Sequence, residues 1–279
     1  MTTLKEILKK EKTIFFPVVY DGLTARIVEM NGFEIVWIGG LNVAASNFAL
    51  PDMGLLTLTE FLERARTIVR AVNIPVICDV ETGFGGVNNV RRMVMEFEAA
   101  GVSGVQMEDQ TFPCRCGSFT GTAVIPVEEY VPKLRAAVEA RKSKDFLIVA
   151  RTDCKPTLGM DEVIRRLNIY ADNGADLATA GSPFTLEEYK RVVKEVKIPI
   201  KANCSIIDQI GLPFKQWEDT GVKMVGYMVV PLYFSIKAIE KSVQALKNGT
   251  IGDMISERAS HEDRDRILKM DEWRKWAEQ

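Results

Sequence analysis

Acidic side chains gather at the ends of short apolar runs in this sequence: Asp79 and Glu81 close "IPVICDVE", and Glu108 closes "VSGVQME". Residues two apart on a strand share a face, so Asp79 and Glu81 point to one side. Two such carboxylates repel unless something positive lies between them. With Glu108 arriving from the next strand, the residue types favour a divalent cation bound by oxygen. No histidine is in reach by pattern, which points to Mg2+ or Mn2+ rather than Zn2+. The competing reading makes these acids helix caps and loop salt bridges. Asp21, Asp109, Asp153 and Asn203 end other runs. Arg151, inside "IVARTD", is costly to hold beside such groups without a partner: it either pairs with a neighbouring acid or faces a substrate carboxylate, and the sequence leaves both open.

The stretch Phe112 to Gly121, "FPCRCGSFTG", carries two cysteines around Arg115. A structural zinc site needs four ligands, and no second close pair exists. A redox pair would lack the CxxC helix start. A third use is proton donation: a thiol with an ordinary pKa of about 8.5 can protonate a carbanion, and an adjacent arginine with a bound cation would stabilise the thiolate. Cys78 and Cys204 read as packed strand residues, and His261 as a surface residue of the C-terminal tail. The "GFGG" at Gly83 to Gly86 lacks phosphate-loop spacing and reads as a turn or mobile segment over the site.

Something must bring these groups together. "TIFFPVV", "FEIVWIGG", "IPVICDVE", "VSGVQME", "DFLIVARTD", "ADLATAG", "IPIKANCS" and "VKMVGYMVV" are short, β-branched and nearly continuous in apolar residues, and each precedes a helical stretch. Such strands suit a parallel sheet covered on both faces. Helices are expected to end at Gly32, Gly101, Gly174 and Gly221. The pattern predicts an α/β fold, a closed (β/α)8 TIM-type barrel, with an open doubly wound sheet as the lesser alternative. In the barrel, the active site lies at the C-terminal ends of the strands. Residues 1–279 read as one barrel domain. Its tail, 255–279, is a polar helical extension that caps the barrel or docks on another subunit.

A formal charge of −2 gives no basic field for nucleic acid. No run of about 18 apolar residues marks a membrane span, and the start "MTTLKEILKKEK" has no apolar h-region. Five scattered cysteines fit a reducing compartment, so the expected location is the cytoplasm.

Five ordered motifs, "YDGLTARIVEMNGFE", "LPDMGLLTLTEF", "CDVETGFGG", "VQMEDQTFP" and "IVARTD", together resemble the isocitrate lyase and phosphoenolpyruvate mutase superfamily. The likeness is close to its 2-methylisocitrate lyase and 2,3-dimethylmalate lyase branch, and runs from about Phe16 to the eighth strand. It implies a Mg2+-binding barrel, usually a homotetramer with an exchanged C-terminal helix, whose ligand is an α-hydroxy or α-keto carboxylate and whose reaction passes through an enolate. Asp79, Glu81 and Glu108 would hold the metal directly or through water, with Asp52 in the outer shell. Arg151 would bind substrate carboxylate, the backbone of Gly39, Gly40 and Leu41 would receive its oxygens, and Asn203 would line the pocket.

Lyases of this family carry Lys-Arg-Cys-Gly-His on a mobile gating loop; the matching residues here are Cys114, Arg115, Cys116, Gly117 and Ser118. By that match Cys116 is the acid that protonates the enolate, and Arg115, Gly117 and Ser118 contact substrate. Mutases have an asparagine where Cys116 stands. The lost lysine and histidine imply a slower enzyme or a smaller, less charged substrate. Gly181 also stands where the branch has an acidic residue, which leaves the general base open, and Tyr20 at the mouth of the first strand is a candidate substitute.

The function expected is therefore a Mg2+-dependent lyase that cleaves a 2-hydroxy di- or tricarboxylate, of 2-alkylmalate or 2-methylisocitrate type, to an α-keto acid and a carboxylate. The alternatives are a phosphonopyruvate or oxaloacetate enzyme, with mutase or hydrolase chemistry, and a metabolite-binding protein without turnover.

Overall fold

The computed structural model describes residues 2–117, 122–181, 183–205 and 207–278. Its strands are β1 (Ile14–Val19), β2 (Val36–Ile38), β3 (Val76–Asp79), β4 (Gly104–Glu108), β5 (Leu147–Thr152), β6 (Leu177–Ala180), β7 (Ile200–Cys204) and β8 (Met224–Tyr227). Each pairs in parallel with the next, and β8 returns to β1 through Ile14 opposite Met224, so the sheet is a closed barrel. Helices follow the strands around the outside, giving the TIM-type fold expected, and the open doubly wound sheet is excluded.

The pleat sorts each strand into two sets. Outward residues such as Cys78, Val105, Ile148, Ala178 and Cys204 join one large core with the helices. The amphipathic helix Leu58–Ala71 shows how: Phe61, Leu62, Ala65 and Ile68 lie on one face and are buried there. Inward residues change character along the strand. Toward the N-terminal end Phe16, Trp37, Ile77, Val149, Leu177 and Met224 form an apolar plug, joined by Leu4 and Ile7 from the helix Leu4–Lys9. Toward the C-terminal end the inward series becomes polar: Asp79 and Glu81 after Ile77, Arg151 and Asp153 after Val149, Thr179 after Leu177. The glycines expected to end helices all carry positive φ, from 77° at Gly221 to 93° at Gly174.

Past β8 come the helix Val230–Lys247, a 3-10 turn at Ile251–Glu257, and the helices His261–Ile267 and Met270–Ala277. Arg26 ties this tail to the barrel by donating to the Ile267 carbonyl. His261 is exposed, as expected. The helix Val230–Lys247 buries only Leu232; Phe234, Ile239, Val243 and Leu246 stay exposed, Phe234 at 71%. Among the described residues no helix is long and apolar enough to cross a membrane.

Candidate active site

The C-terminal mouth of the barrel encloses a cavity lined by Gly39, Gly40, Leu41, Asp52, Asp79, Glu81, Glu108, Arg115, Cys116, Gly117, Arg151 and Asn203, among others. The structure thus brings together residues that lie more than 150 positions apart in sequence. The pairing explains much of it: Asp79 lies beside Gln106, and Glu108 beside Arg151, on adjacent strands. Glu81 is turned into the cavity by a left-handed residue conformation, φ 50°, uncommon for a side chain of its size. Its amide donates to Asp79 Oδ1 at 3.2 Å and its carbonyl accepts from the Glu108 amide at 2.8 Å, which fixes the bend. The "GFGG" segment continues it with positive φ at Gly83, Phe84 and Gly85, a turn as expected.

Arg151 occupies the centre. Its guanidinium lies 3.0 Å from Glu108, 3.1 Å from Asp153 and 3.7 Å from Asp79, all largely buried. Of the two uses the sequence left open, pairing with acids is therefore realised, while the cavity keeps Arg151 in reach of a ligand. Burial opposes its charge, but Asp153, Glu108 and Asp79 outweigh that and raise its pKa. One arginine does not neutralise the surrounding acids. Burial, reinforced by Asp79, pushes Glu81 up to about 7, and burial with Asp79 pushes Asp52 up to about 6. Glu108 is raised by burial even against Arg151. The mouth is short of positive charge.

As they lie, no three His, Cys, Asp or Glu side chains among the described residues are arranged to hold a metal ion. The expected three-acid ligand set is thus not closed in this structure, where the Arg151 guanidinium stands among the same acids.

The loop after β4 lies across the cavity. Cys114 Sγ donates to Glu81 Oε2 at 3.4 Å, and the Cys116 thiol hydrogen-bonds Asp52. The Cys116 amide also donates to the Asp52 carbonyl at 3.3 Å. Cys114 is buried and its pKa is pushed up by burial and by Glu108 and Glu81, so it stands as a neutral thiol. No cysteine among the described residues is in a disulfide. Ser118 lies outside the described residues.

Gln110, which the sequence reading passed over, clamps this loop. Its Oε1 accepts from the Arg115 amide at 2.9 Å, and its Nε2 donates to the Arg115 carbonyl and to Asp153 Oδ2, both at 2.8 Å. Arg151, Asp153, Gln110 and the loop backbone therefore form one chain of contacts. Gly181 completes it by absence: a Cβ there would fall 1.5 Å from Asp153 Oδ1 and 2.5 Å from an Arg151 nitrogen. Asp153 thus fills the space where a side chain at 181 would begin.

Three strand-end residues serve elsewhere. Tyr20 does not line the cavity; its hydroxyl donates to Ser235 at 3.1 Å, which corrects the expectation of a base at the mouth. Asp21 caps the helix Gly22–Met30 through the Thr24 amide at 2.7 Å. Asp109 faces the helical layer, where Thr152, Arg166 and Tyr170 all donate to it.

Comparison with known proteins agrees with this geometry. A family model described as phosphoenolpyruvate phosphomutase matches residues 4–247. The 2,3-dimethylmalate lyase of Eubacterium barkeri is 38% identical over 248 residues, covering 88% of this chain and 85% of that protein. The 2-methylisocitrate lyase of Aeropyrum pernix is 36% identical over 254 residues, covering 90% and 82%. A crystal structure of phosphonopyruvate hydrolase in complex with oxalate and Mg2+ superimposes with a TM-score of 0.88 at 28% identity, covering 97% of this chain and 95% of that one. A closed parallel barrel with acids, an arginine and a cysteine loop at its mouth, matched over most of its length by such enzymes, places the chain in the phosphoenolpyruvate phosphomutase family, within the isocitrate lyase and phosphoenolpyruvate mutase superfamily.

Proposed function

We propose that this chain is a Mg2+-dependent carbon–carbon lyase acting on a 2-hydroxy di- or tricarboxylate, with a 2-alkylmalate such as 2,3-dimethylmalate the favoured class. The observation that carries the reading is the Cys116 thiol in the same cavity as Arg151 and the acid cluster. The donor set fits a small hard cation: Asp52, Asp79, Glu81 and Glu108 offer only carboxylate oxygens, and burial together with neighbouring acids raises the pKa values of Asp52, Glu81 and Glu108. Mg2+ keeps several waters and needs one or two carboxylates directly, so three converging ligands are not required of the protein. Asp79, Glu81 and Glu108 would hold it, with Asp52 behind, and when bound it would stabilise negative charge developing on the substrate's α-oxygen.

Arg151 takes a substrate carboxylate as a bidentate partner. The helix Gly40–Phe48 begins at the cavity with Gly39 as a cap that makes no side-chain bond, so its first amides are open to carboxylate oxygens. Asn203 lines the side toward β6. A carboxylate oxygen of the cluster takes the hydroxyl proton; the O–H pair becomes the new C=O, and the broken C–C pair becomes the enolate of the leaving carboxylate. Cys116 Sγ gives its proton to that carbon, and the thiolate left behind lies beside Arg115. The loop, held by Gln110, excludes water from the enolate. Cys114 in place of a lysine removes a cation from the pocket, which favours the substrate with fewer charges.

A second reading is hydrolysis or mutation of phosphonopyruvate, or cleavage of oxaloacetate, supported by the likeness to phosphonopyruvate hydrolase. The exposed apolar side chains of the helix Val230–Lys247 support assembly into a homotetramer, and the free cysteines among the described residues support a cytoplasmic setting.

The test is α-keto acid release from a panel of 2-hydroxy di- and tricarboxylates, with and without Mg2+, for wild type and Cys116→Ser. Metal-dependent release that collapses in the variant is expected. Release from none of them, with turnover of phosphonopyruvate or oxaloacetate, would install the second reading.

A further inference from the structure

One charge in the barrel takes no part in these steps. Lys201 of β7 points inward and is fully buried, and its ammonium meets amides rather than a carboxylate. Nζ donates to Gln106 Oε1 at 3.0 Å and to Asn203 Oδ1 at 2.5 Å, and stands 4.4 Å from the centre of the Trp37 ring. An amide has one oxygen, so each bond decides where the other end of that amide points. With its oxygen on Lys201, Gln106 donates Nε2 to Asp79 Oδ2 at 3.1 Å. With its oxygen on Lys201, Asn203 donates Nδ2 to the Ala180 carbonyl at 2.7 Å and to Thr179 at 3.3 Å.

A buried ammonium without a carboxylate is expensive; a methionine of similar length would avoid burying the charge but would leave Gln106 Oε1 and Asn203 Oδ1 without this donor. Asp79 and Asp153 are near enough to favour the charge and Arg151 near enough to oppose it, so Lys201 feels the mouth and the mouth feels Lys201. We propose that Lys201 is a positioning residue that sets the charge balance of the site: it holds Gln106 toward Asp79 and Asn203 toward β6, and adds from below a second positive charge to that of Arg151. The inference rests on the reading of the mouth as a site for a divalent cation and a carboxylate ligand. It has a signature that packing alone lacks. Removing the charge strengthens cation binding and weakens anion binding, with opposite signs at one site.

The experiment is calorimetric titration at pH 6, where the native lysine carries its proton, of wild type, Lys201→Met and Lys201→Gln with Mg2+ alone and with oxalate alone, together with each protein's thermal midpoint. For both variants Mg2+ is expected to bind about three- to tenfold tighter and oxalate weaker by about the same factor, as for a single charge strongly screened from the ligand. Parallel weakening of both ligands, or no change in either, overturns the proposal. If Lys201→Met does not fold, the glutamine variant makes the same comparison. Wild type that binds oxalate but not Mg2+ sinks the cation reading alone, and the oxalate arm still decides Lys201. Wild type that binds neither overturns both.

Discussion

The two ends of this barrel are built from the same eight strands and have opposite economies. At the N-terminal end, inward residues such as Phe16, Trp37 and Met224 are apolar and fully buried, and the first helix closes it with Leu4 and Ile7. At the C-terminal end, positions nearly as buried hold Asp79, Glu81, Glu108, Asp153 and Arg151. Burial lowers the free energy of the first set and raises that of the second. Cavity size does not tell them apart in the expected direction: a groove at the N-terminal end measures about 400 Å3, against about 160 Å3 at the mouth. What distinguishes the mouth is destabilising chemistry retained in one place, with an acid in a left-handed conformation beside it.

The comparison is broken most forcefully by removing Arg151, the cation that Glu108, Asp153 and Asp79 share. Arg151→Met leaves Glu108, Asp153 and Asp79 without their common partner. We expect kcat/KM to fall by about a thousandfold or more, and stability by about 3–5 kcal/mol as for a severed buried ion pair, read by steady-state kinetics and urea denaturation. A variant that keeps full activity would remove Arg151 from the site.

At the other end, Phe16→Ala opens a cavity in the plug beneath Trp37, against which Phe16 stacks at 5.2 Å. The expected cost is about 3–5 kcal/mol of stability, with kcat/KM unchanged at a temperature where the variant is folded. A large change in kcat/KM there would show that the two ends are coupled. Gly181→Ala tests the mouth by crowding. Its Cβ must displace Asp153 or Arg151, so activity should fall about ten- to a hundredfold while stability drops by about 1–3 kcal/mol. Activity at the wild-type level would mean that Asp153 moves aside without consequence.

Much of this contrast was legible in the chain. The barrel followed from apolar runs alternating with helices, and Asp79, Glu81, Glu108 and Arg151 announced themselves because charges at the ends of apolar strands have few structural uses. Asp21 and Asp109 looked the same in sequence and proved to be a helix cap and a buried brace, since one residue of register decides whether a strand-end acid faces the lumen or the helices. Tyr20 is a different case: it has the inward parity of Phe16 and Val18, yet its hydroxyl is taken by Ser235 of the helix after β8. Gln106 and Gln110 were illegible because an amide's partners are set by tertiary approach, and neither spacing nor charge marks it. Lys201 did leave a signal. A lysine inside "IPIKANC", two residues before Asn203 in a strand that must be covered on both faces, has no route to water.

Lys201 gives the smallest and most local test of the comparison, because its cost can be read as a slope. Burial lowers its pKa from the ordinary 10.5 to about 7. Below about pH 7 both native and unfolded chains carry the proton, and the penalty of the buried charge is present in full. Between about pH 7 and 10.5 the unfolded chain holds a proton that the native state has lost, so wild type gains stability as pH rises, by at most about 1.4 kcal/mol per pH unit. Lys201→Met has no such group. Urea denaturation of the two proteins at pH 7, 8 and 9 should therefore show the difference between them moving in favour of wild type by about 1 kcal/mol per unit, other titrations being common to both. Parallel curves would mean that the native lysine keeps an ordinary pKa, and that the amides of Gln106 and Asn203 with the face of Trp37 solvate its charge as well as water does.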